Sequence, residues 1–331
     1  MLIAADVGGT KTLIGLFESG TPRPSPVATR SLPTSAFAGI GALLDAFLSD
    51  VSPSVAPAGR MPIDAAALGV AGPVVGGQAR LTNVGWTISA AGVSTHLGTP
   101  RVALLNDLEA MAAAIGVLRA DELAPLQDGV PDPNGAAALI AAGTGLGQAL
   151  LPRVGGRLHP LATEAGHADF APRTDREIAL LRFLRDRYGR AEVEQVLSGQ
   201  GLANLHRFTH EGRGCDAGID GGRIDAPAAI SREALEGTCA ACGEALGLFV
   251  EIYGAEAGNL ALRALPTAGL FLGGGIAPRI LPALRDGRFV AAFRAKAPMH
   301  ELVARIPVTV ILNPDAGLVG AAVVAGRLAA A

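Results

Sequence analysis

Three short stretches place glycines, two of them with a threonine, where apolar segments end: Asp6-Val7-Gly8-Gly9-Thr10, Gly143-Thr144-Gly145 and Gly273-Gly274-Gly275. A glycine turn lets backbone N–H groups converge with no Cβ in the way, and converging amides bind an anion such as phosphate. Threonine adds a hydroxyl donor. Asp6 would set a carboxylate beside that phosphate, an arrangement favourable only with a cation between them, and Mg²⁺, directly or through water, is the mediator that chemistry calls for. Taken singly, each turn is better read as an ordinary hairpin whose glycines supply positive φ. Three of them in one chain move the balance toward phosphate. No GxxxxGK[ST] occurs, which excludes a Walker-type site. The run Gly143 to Gly147 looks superficially like a dinucleotide loop, but "QALL" after it reads as strand where that loop needs a helix.

The elements that must carry these turns are legible from apolar runs and their period. Leu2 to Val7 and Leu13 to Phe17 flank the first turn as strands, and Val27 to Leu32 extends them into a meander. Phe37, Ile40, Leu44 and Phe47 recur at helical spacing, followed by a strand at Ala66 to Val70 that ends in Ala71-Gly72-Pro73. The strand Val102 to Leu105 runs directly into "NDLEAMAAAIGVL", whose alanines favour a helix. Residues 137 to 151, "AALIAAGTGLGQALL", repeat the layout of the opening hairpin, which predicts two related halves. Near the end, "VTVIL" and "DAGLVGAAVVAGRLAAA" supply a strand and a helix that packs back on the first domain. Thr174 to Glu177 open a helix as a capping box, so Glu177 is assigned to a helix terminus.

A chain of 331 residues exceeds what one core usually serves, which predicts two domains. The net charge of -3 and the lack of a basic run give no footprint for nucleic acid or an anionic membrane, so the expected partner is a small molecule. Mean hydropathy is +0.38, yet the most apolar uncharged run, Pro133 to Leu151, holds too many glycines for a spanning helix. Asp6 interrupts the apolar start and no basic segment precedes it; a signal peptide is not expected, and the cytoplasm is. Cys215, Cys239 and Cys242 are too few for a disulfide framework. Cys239 to Cys242 has CxxC spacing, but it lies in an alanine-rich helical stretch with no second ligand pair beside it, so buried or incidental thiols are expected. His96, His159, His206, His210 and His300 show no metal spacing and receive no role.

Seven motifs in order, "DVGGT", "NDLEA", "GTGLG", "EAGHADFAP", "EQVLSGQGL", "FLGGGIAPR" and "NPDAGLVG", span nearly the whole chain. In them the sequence resembles the bacterial glucokinases of the actin, sugar kinase and chaperone ATPase superfamily. The resemblance implies a two-domain α/β fold, actin/hexokinase-like (ribonuclease H-like), with mixed sheets flanked by helices and a cleft between domains. A small domain of residues 1–117 plus 308–331 would carry the first phosphate element and the catalytic base, and a large domain of residues 118–307 the second phosphate element with sugar and adenosine contacts. Asp6, Gly8, Gly9 and Thr10 would then grip ATP and Mg²⁺ from one side, Gly143, Thr144 and Gly145 from the other, with Gly273, Gly274 and Gly275 beside the adenosine.

Asn106, Asp107, Glu164, His167 and Glu194 match the family's sugar-binding positions, with Asp107 as catalytic base and Glu192 an alternative to Glu194 in a shifted register. These residue types suit the task, since carboxylates accept strongly from sugar hydroxyls and an imidazole both donates and accepts. Other readings of the same residues stay open: Asp107 as a helix cap, His167 as a core histidine and Glu194 as a solvated helix residue. The implied activity is transfer of the γ-phosphoryl group of ATP to the 6-hydroxyl of glucose, feeding glycolysis, by a homodimer whose cleft closes on the sugar. Alternatives are mannose, fructose or an N-acetylated hexose as acceptor, ADP or polyphosphate as donor, a nucleotide-driven switch, or a sugar sensor. Ala165 replaces the first glycine of the family's "EGGH", and Lys11 is closer to the neighbouring ROK sugar kinases. Those kinases carry a cysteine-rich zinc motif after the sugar-binding histidine; no cysteine lies between His167 and Cys215, so that zinc is not expected.

Overall fold

A computed structural model describes residues 1–55, 62–81, 83–220, 222–223 and 225–331. The chain forms two compact units, one of Met1–Arg119 with Asn313–Ala331 and one of Ala120–Leu312.

The first unit is built on a five-stranded sheet in the order Ser25–Pro33, Lys11–Glu18, Leu2–Val7, Ala65–Val70, Val102–Asn106. The first three strands form the expected antiparallel meander, and the last two run parallel to Leu2–Val7. Leu2–Val7 is apolar on both faces because both are covered. Ile3, Ala5 and Val7 join Leu43, Leu44 and Phe47 in one core, while Leu2 and Ala4 join Leu318, Ala321 and Ala325 of the last helix, Ala316–Ala330, in another. Burial on two faces is what an unbroken apolar strand requires. The helix that begins near Phe37 by periodicity starts at Ile40, after a short 3₁₀ turn at Thr34–Ala36.

The second unit repeats the plan. Ala137–Ala142 and Leu146–Leu151 form an antiparallel hairpin, and Ala137–Ala142 has Gly269–Gly273 as its parallel neighbour, as Leu2–Val7 has Ala65–Val70. Leu161–Thr163 extends the sheet at one edge, and Val308–Ile311 and Leu123–Gln127 at the other. The strand Val308–Ile311 therefore corrects the expected boundary at residue 308: it pairs parallel with Gly269–Gly273, so its backbone hydrogen bonds lie in the second sheet. The chain returns to the first unit only at Asn313. Helix Asp175–Tyr188 starts where the capping box placed it, with one difference. Thr174 accepts from the Glu177 N–H, but the Glu177 carboxylate takes the Arg173 N–H and guanidinium instead of the Thr174 N–H. Among the described residues no helix is long and apolar enough to cross a membrane.

Candidate active site

In the first unit, Asp6, Gly69 and Leu105 are in register across three parallel strands, and Asp107 begins the helix that leaves the third of them. Both carboxylates thus stand toward the carboxyl ends of parallel strands, where open α/β sheets bind ligands. Asp6 is largely buried, and its carboxyl is raised to about 6, first by burial and then by the charge of Asp107; Lys11 pulls it down and Asp315 pushes it up. Asp315, at the start of the last helix, is the member of this group that sequence reasoning passed over, although it stands in the quoted motif "NPDAGLVG". Asp6, with Asp107 and Asp315 near enough for their charges to raise its proton affinity, belongs to a donor set suited to a hard divalent cation.

The glycines of the first turn are not there for positive φ, since neither Gly8 nor Gly9 has it. They keep space open. A Cβ on Gly8 would stand 2.8 Å from the Lys11 carbonyl, which accepts from the Gly8 N–H across the turn at 3.0 Å. Thr34 braces the same turn, its hydroxyl donating to the Gly8 carbonyl (2.8 Å) and its N–H to that of Thr10 (3.0 Å). Thr10 itself is exposed at the tip.

Asn106 and Asp107 divide two tasks. Asn106 is the helix cap: its Oδ1 accepts from Leu108 N–H (2.9 Å), its Nδ2 donates to the Gly72 carbonyl (3.0 Å), and its own N–H reaches Glu109 (3.0 Å) as a capping box. Asp107 is the exposed first residue of the helix and accepts from Leu108 N–H (2.8 Å), so its carboxylate is mounted rigidly at a helix N-terminus.

In the second unit, the turn Gly143-Thr144-Gly145 is held from two directions. Gly199 N–H donates to the Gly143 carbonyl (2.9 Å), and Leu146 N–H donates to Glu194 Oε2 (2.8 Å). Glu194 is therefore no solvated helix residue; a Cβ on Gly145 would lie 2.6 Å from its carboxylate, which is why glycine occupies that position. His167 is exposed and not a core histidine; its Nδ1 lies 3.3 Å from Glu192, and His167, Glu192 and Glu194 present donor atoms within 4.8 Å of one another. Glu192 is engaged by His167 and by Arg190 at 3.8 Å, and caps the 3₁₀ turn Val193–Gln195. Glu164 is exposed and precedes the 3₁₀ turn Ala165–His167.

The departure at Ala165 is explained by the same turn. Close approach falls on Gly166, whose Cβ would collide with the Leu146 carbonyl at 2.1 Å, whereas Ala165 has no positive φ to resist. Beside the second turn lies a cleft of about 330 Å³ lined by Gly143, Thr144, Pro227, Ser231, Gly275 and Arg279. Gly275 reaches this cleft, while Gly274, at φ 81°, serves the backbone, passing so close to Ala142 that a Cβ would meet its carbonyl at 2.2 Å. Gly273 ends the strand.

A glucokinase family model matches residues 3–328. The chain belongs to the glucokinase family. It is 37% identical to a glucokinase of Nostoc punctiforme over 99% of both chains, and 36% identical to one of Synechocystis over 98% of both. Among solved structures, a glucokinase from an Antarctic psychrotroph superposes with a TM-score of 0.86 at 30% identity over 98% of both chains. A ROK family glucokinase from Streptomyces griseus, determined with glucose and AMPPNP, shares the fold at 22% identity and a TM-score of 0.63. The mixed sheets and flanking helices of both units are thus those of a sugar kinase fold. The ordered motifs of this glucokinase-family chain all fall inside the matched range.

Proposed function

We propose that this protein transfers the γ-phosphoryl group of ATP to the 6-hydroxyl of D-glucose. The observation that supports the reading best is the juxtaposition of Asp6 and Asp107 at the carboxyl ends of parallel strands, one largely buried and one exposed. Asp107 is the base: its carboxylate takes the proton of the 6-hydroxyl as that oxygen bonds to the γ-phosphorus and the bond to the β,γ-bridging oxygen breaks, releasing ADP. Little covalent assistance is needed for such a transfer, so positioning of the reacting oxygens supplies most of the rate. Asp6 and Asp315 are the residues that would hold Mg²⁺, which when bound neutralises the phosphate charge. The backbone amides and hydroxyls of Gly8 to Thr10 and of Gly143 to Gly145 orient the phosphates, and the cleft beside Gly275 and Arg279 takes the adenosine.

Asn106, Glu164, His167 and Glu194 bind the sugar hydroxyls, with Glu194 preferred to Glu192. The latter is spent on Arg190 and on capping, whereas Glu194 faces the phosphate turn. In this reading the enzyme works in the cytoplasm as a homodimer, and glucose 6-phosphate passes to glycolysis. A coupled assay with glucose, mannose, fructose and N-acetylglucosamine against ATP, ADP and polyphosphate tests it; glucose with ATP is expected to give the highest kcat/KM. Nucleotide hydrolysis indifferent to every sugar would overturn it in favour of a switch protein. Sedimentation of the purified protein tests the dimer.

A further inference from the structure

Five chemically capable side chains that the phosphoryl-transfer site does not use converge in the second unit. His206 and His210 lie one turn apart on the helix Gly199–His210, Cys215 follows in the next turn of chain, and Cys239 and Cys242 open the long helix Ala240–Ala264. The reading of the CxxC as lacking a second ligand pair is thereby corrected: the histidine pair stands beside it. Donor atoms of His206, His210, Cys215 and Cys242 all lie within 4.8 Å of one another. Cys215 Sγ is 3.7 Å from that of Cys242 and 3.9 Å from that of Cys239, and Cys239 Sγ is 3.5 Å from His210 Nε2.

These separations match the edges of one coordination tetrahedron. Zinc bonds of about 2.3 Å to sulfur and about 2.0–2.1 Å to nitrogen, at tetrahedral angles, put sulfurs about 3.8 Å apart and sulfur about 3.5 Å from nitrogen. None of the three cysteines is paired in a disulfide, and two of them are buried. The imidazole is already oriented as a ligand. His210 Nδ1 faces the His206 carbonyl at 2.6 Å, a position only an N–H tolerates, so Nε2 presents its lone pair toward Cys239. Independently, His206 is 5% exposed and its Nε2 has no hydrogen-bond partner, although buried polar atoms are ordinarily paired. His206 offers a ring nitrogen within 4.8 Å of donor atoms of His210, Cys215 and Cys242, and its orphaned Nε2 leaves the polar cluster unsatisfied by the protein alone.

We propose that His210, Cys215, Cys239 and Cys242 bind one zinc ion in a closed structural site, with His206 packed against the His210 ring at 3.8 Å. Three soft thiolates and one imidazole select zinc over magnesium or calcium, and four protein ligands leave no position for a substrate. Binding releases the thiol protons and ties the end of helix Gly199–His210 to the start of Ala240–Ala264. The other end of the first of these helices carries Gly199, whose N–H holds the Gly143 carbonyl, so the ion steadies the element on which the second phosphate turn rests.

The test is metal analysis of the protein purified without chelators from zinc-supplemented cells. One zinc per chain is expected, with thiolate-to-cobalt charge-transfer absorption when Co²⁺ replaces it. Cys215→Ser, in a partly exposed turn, is expected to weaken zinc binding by more than about tenfold and to lower Tm by roughly 5–10 °C, while glucose phosphorylation at 25 °C stays near wild type. Wild-type protein that arrives without zinc and takes up neither Zn²⁺ nor Co²⁺ in a titration against a chromophoric chelator would overturn the proposal. So would full zinc occupancy in the serine variant, or a disulfide among the three cysteines in mass spectra of freshly purified protein.

Discussion

Replacing Asp107 with alanine is expected to lower kcat by on the order of 10² to 10⁴, the usual worth of a positioned base, with ATP affinity by calorimetry little changed. Asn106→Ala should behave differently, because it removes a capping box as well as the proposed sugar contact: a loss of stability of about 1 kcal/mol is expected to accompany a rise in KM for glucose. Asp6 gives the pH dependence. Its carboxyl is raised from 3.8 to about 6 in the folded protein, so between those values the folded state holds a proton that the unfolded state has lost. The stabilisation is complete below the unfolded value and is lost as pH rises through about 6, by on the order of 3 kcal/mol. Without Mg²⁺, the Tm of the wild type relative to Asp6→Asn should therefore fall between pH 4 and pH 7, and added Mg²⁺ should narrow the gap at pH 7 or above; parallel melting curves at all pH values would contradict this. Asp6 was legible in the sequence from its place before a glycine turn. Asp315 was not, because nothing within its own motif signals that it faces a carboxylate more than 300 positions away.

Among the elements, the last helix does more than close the chain. Ala316–Ala330 packs along Asp107–Ala114, and at Gly320 the approach leaves no room: a Cβ would meet the Ala110 carbonyl at 1.7 Å. Gly320→Ala must therefore displace the helix whose first residue is Asp107, and it is expected to cost about 1–3 kcal/mol and to reduce kcat more than it raises KM for ATP, measured by melting and by steady-state kinetics. The strands, the turns and most helix starts were readable from apolar period and capping residues. The purpose of the turn glycines was not. Hairpin statistics suggest positive φ, whereas Gly8 and Gly145 are required by close neighbours, and only a list of spatial neighbours distinguishes the two.

At the scale of the molecule, two units with separate cores repeat one arrangement of hairpin and parallel strand. Ligands that bind only the folded chain raise its stability by mass action, so glucose at one hundred times its Kd is expected to add about 2.7 kcal/mol, read as an upward shift in Tm that Glu164→Ala and His167→Ala diminish. The amino-acid sequence determined what local physics encodes: strand and helix positions, turn chemistry, the exclusion of dinucleotide and Walker sites, and the ordered motifs of the family. Tertiary structure alone decided which sheet the strand Val308–Ile311 joins, that Glu194 seats on a turn 48 residues earlier, and that two histidines without metal spacing stand beside the three cysteines in one small volume. The physical reason is the same in each case. Periodicity and capping act over a few residues, while these partners meet only because sheets and helices distant in the chain pack their buried faces together.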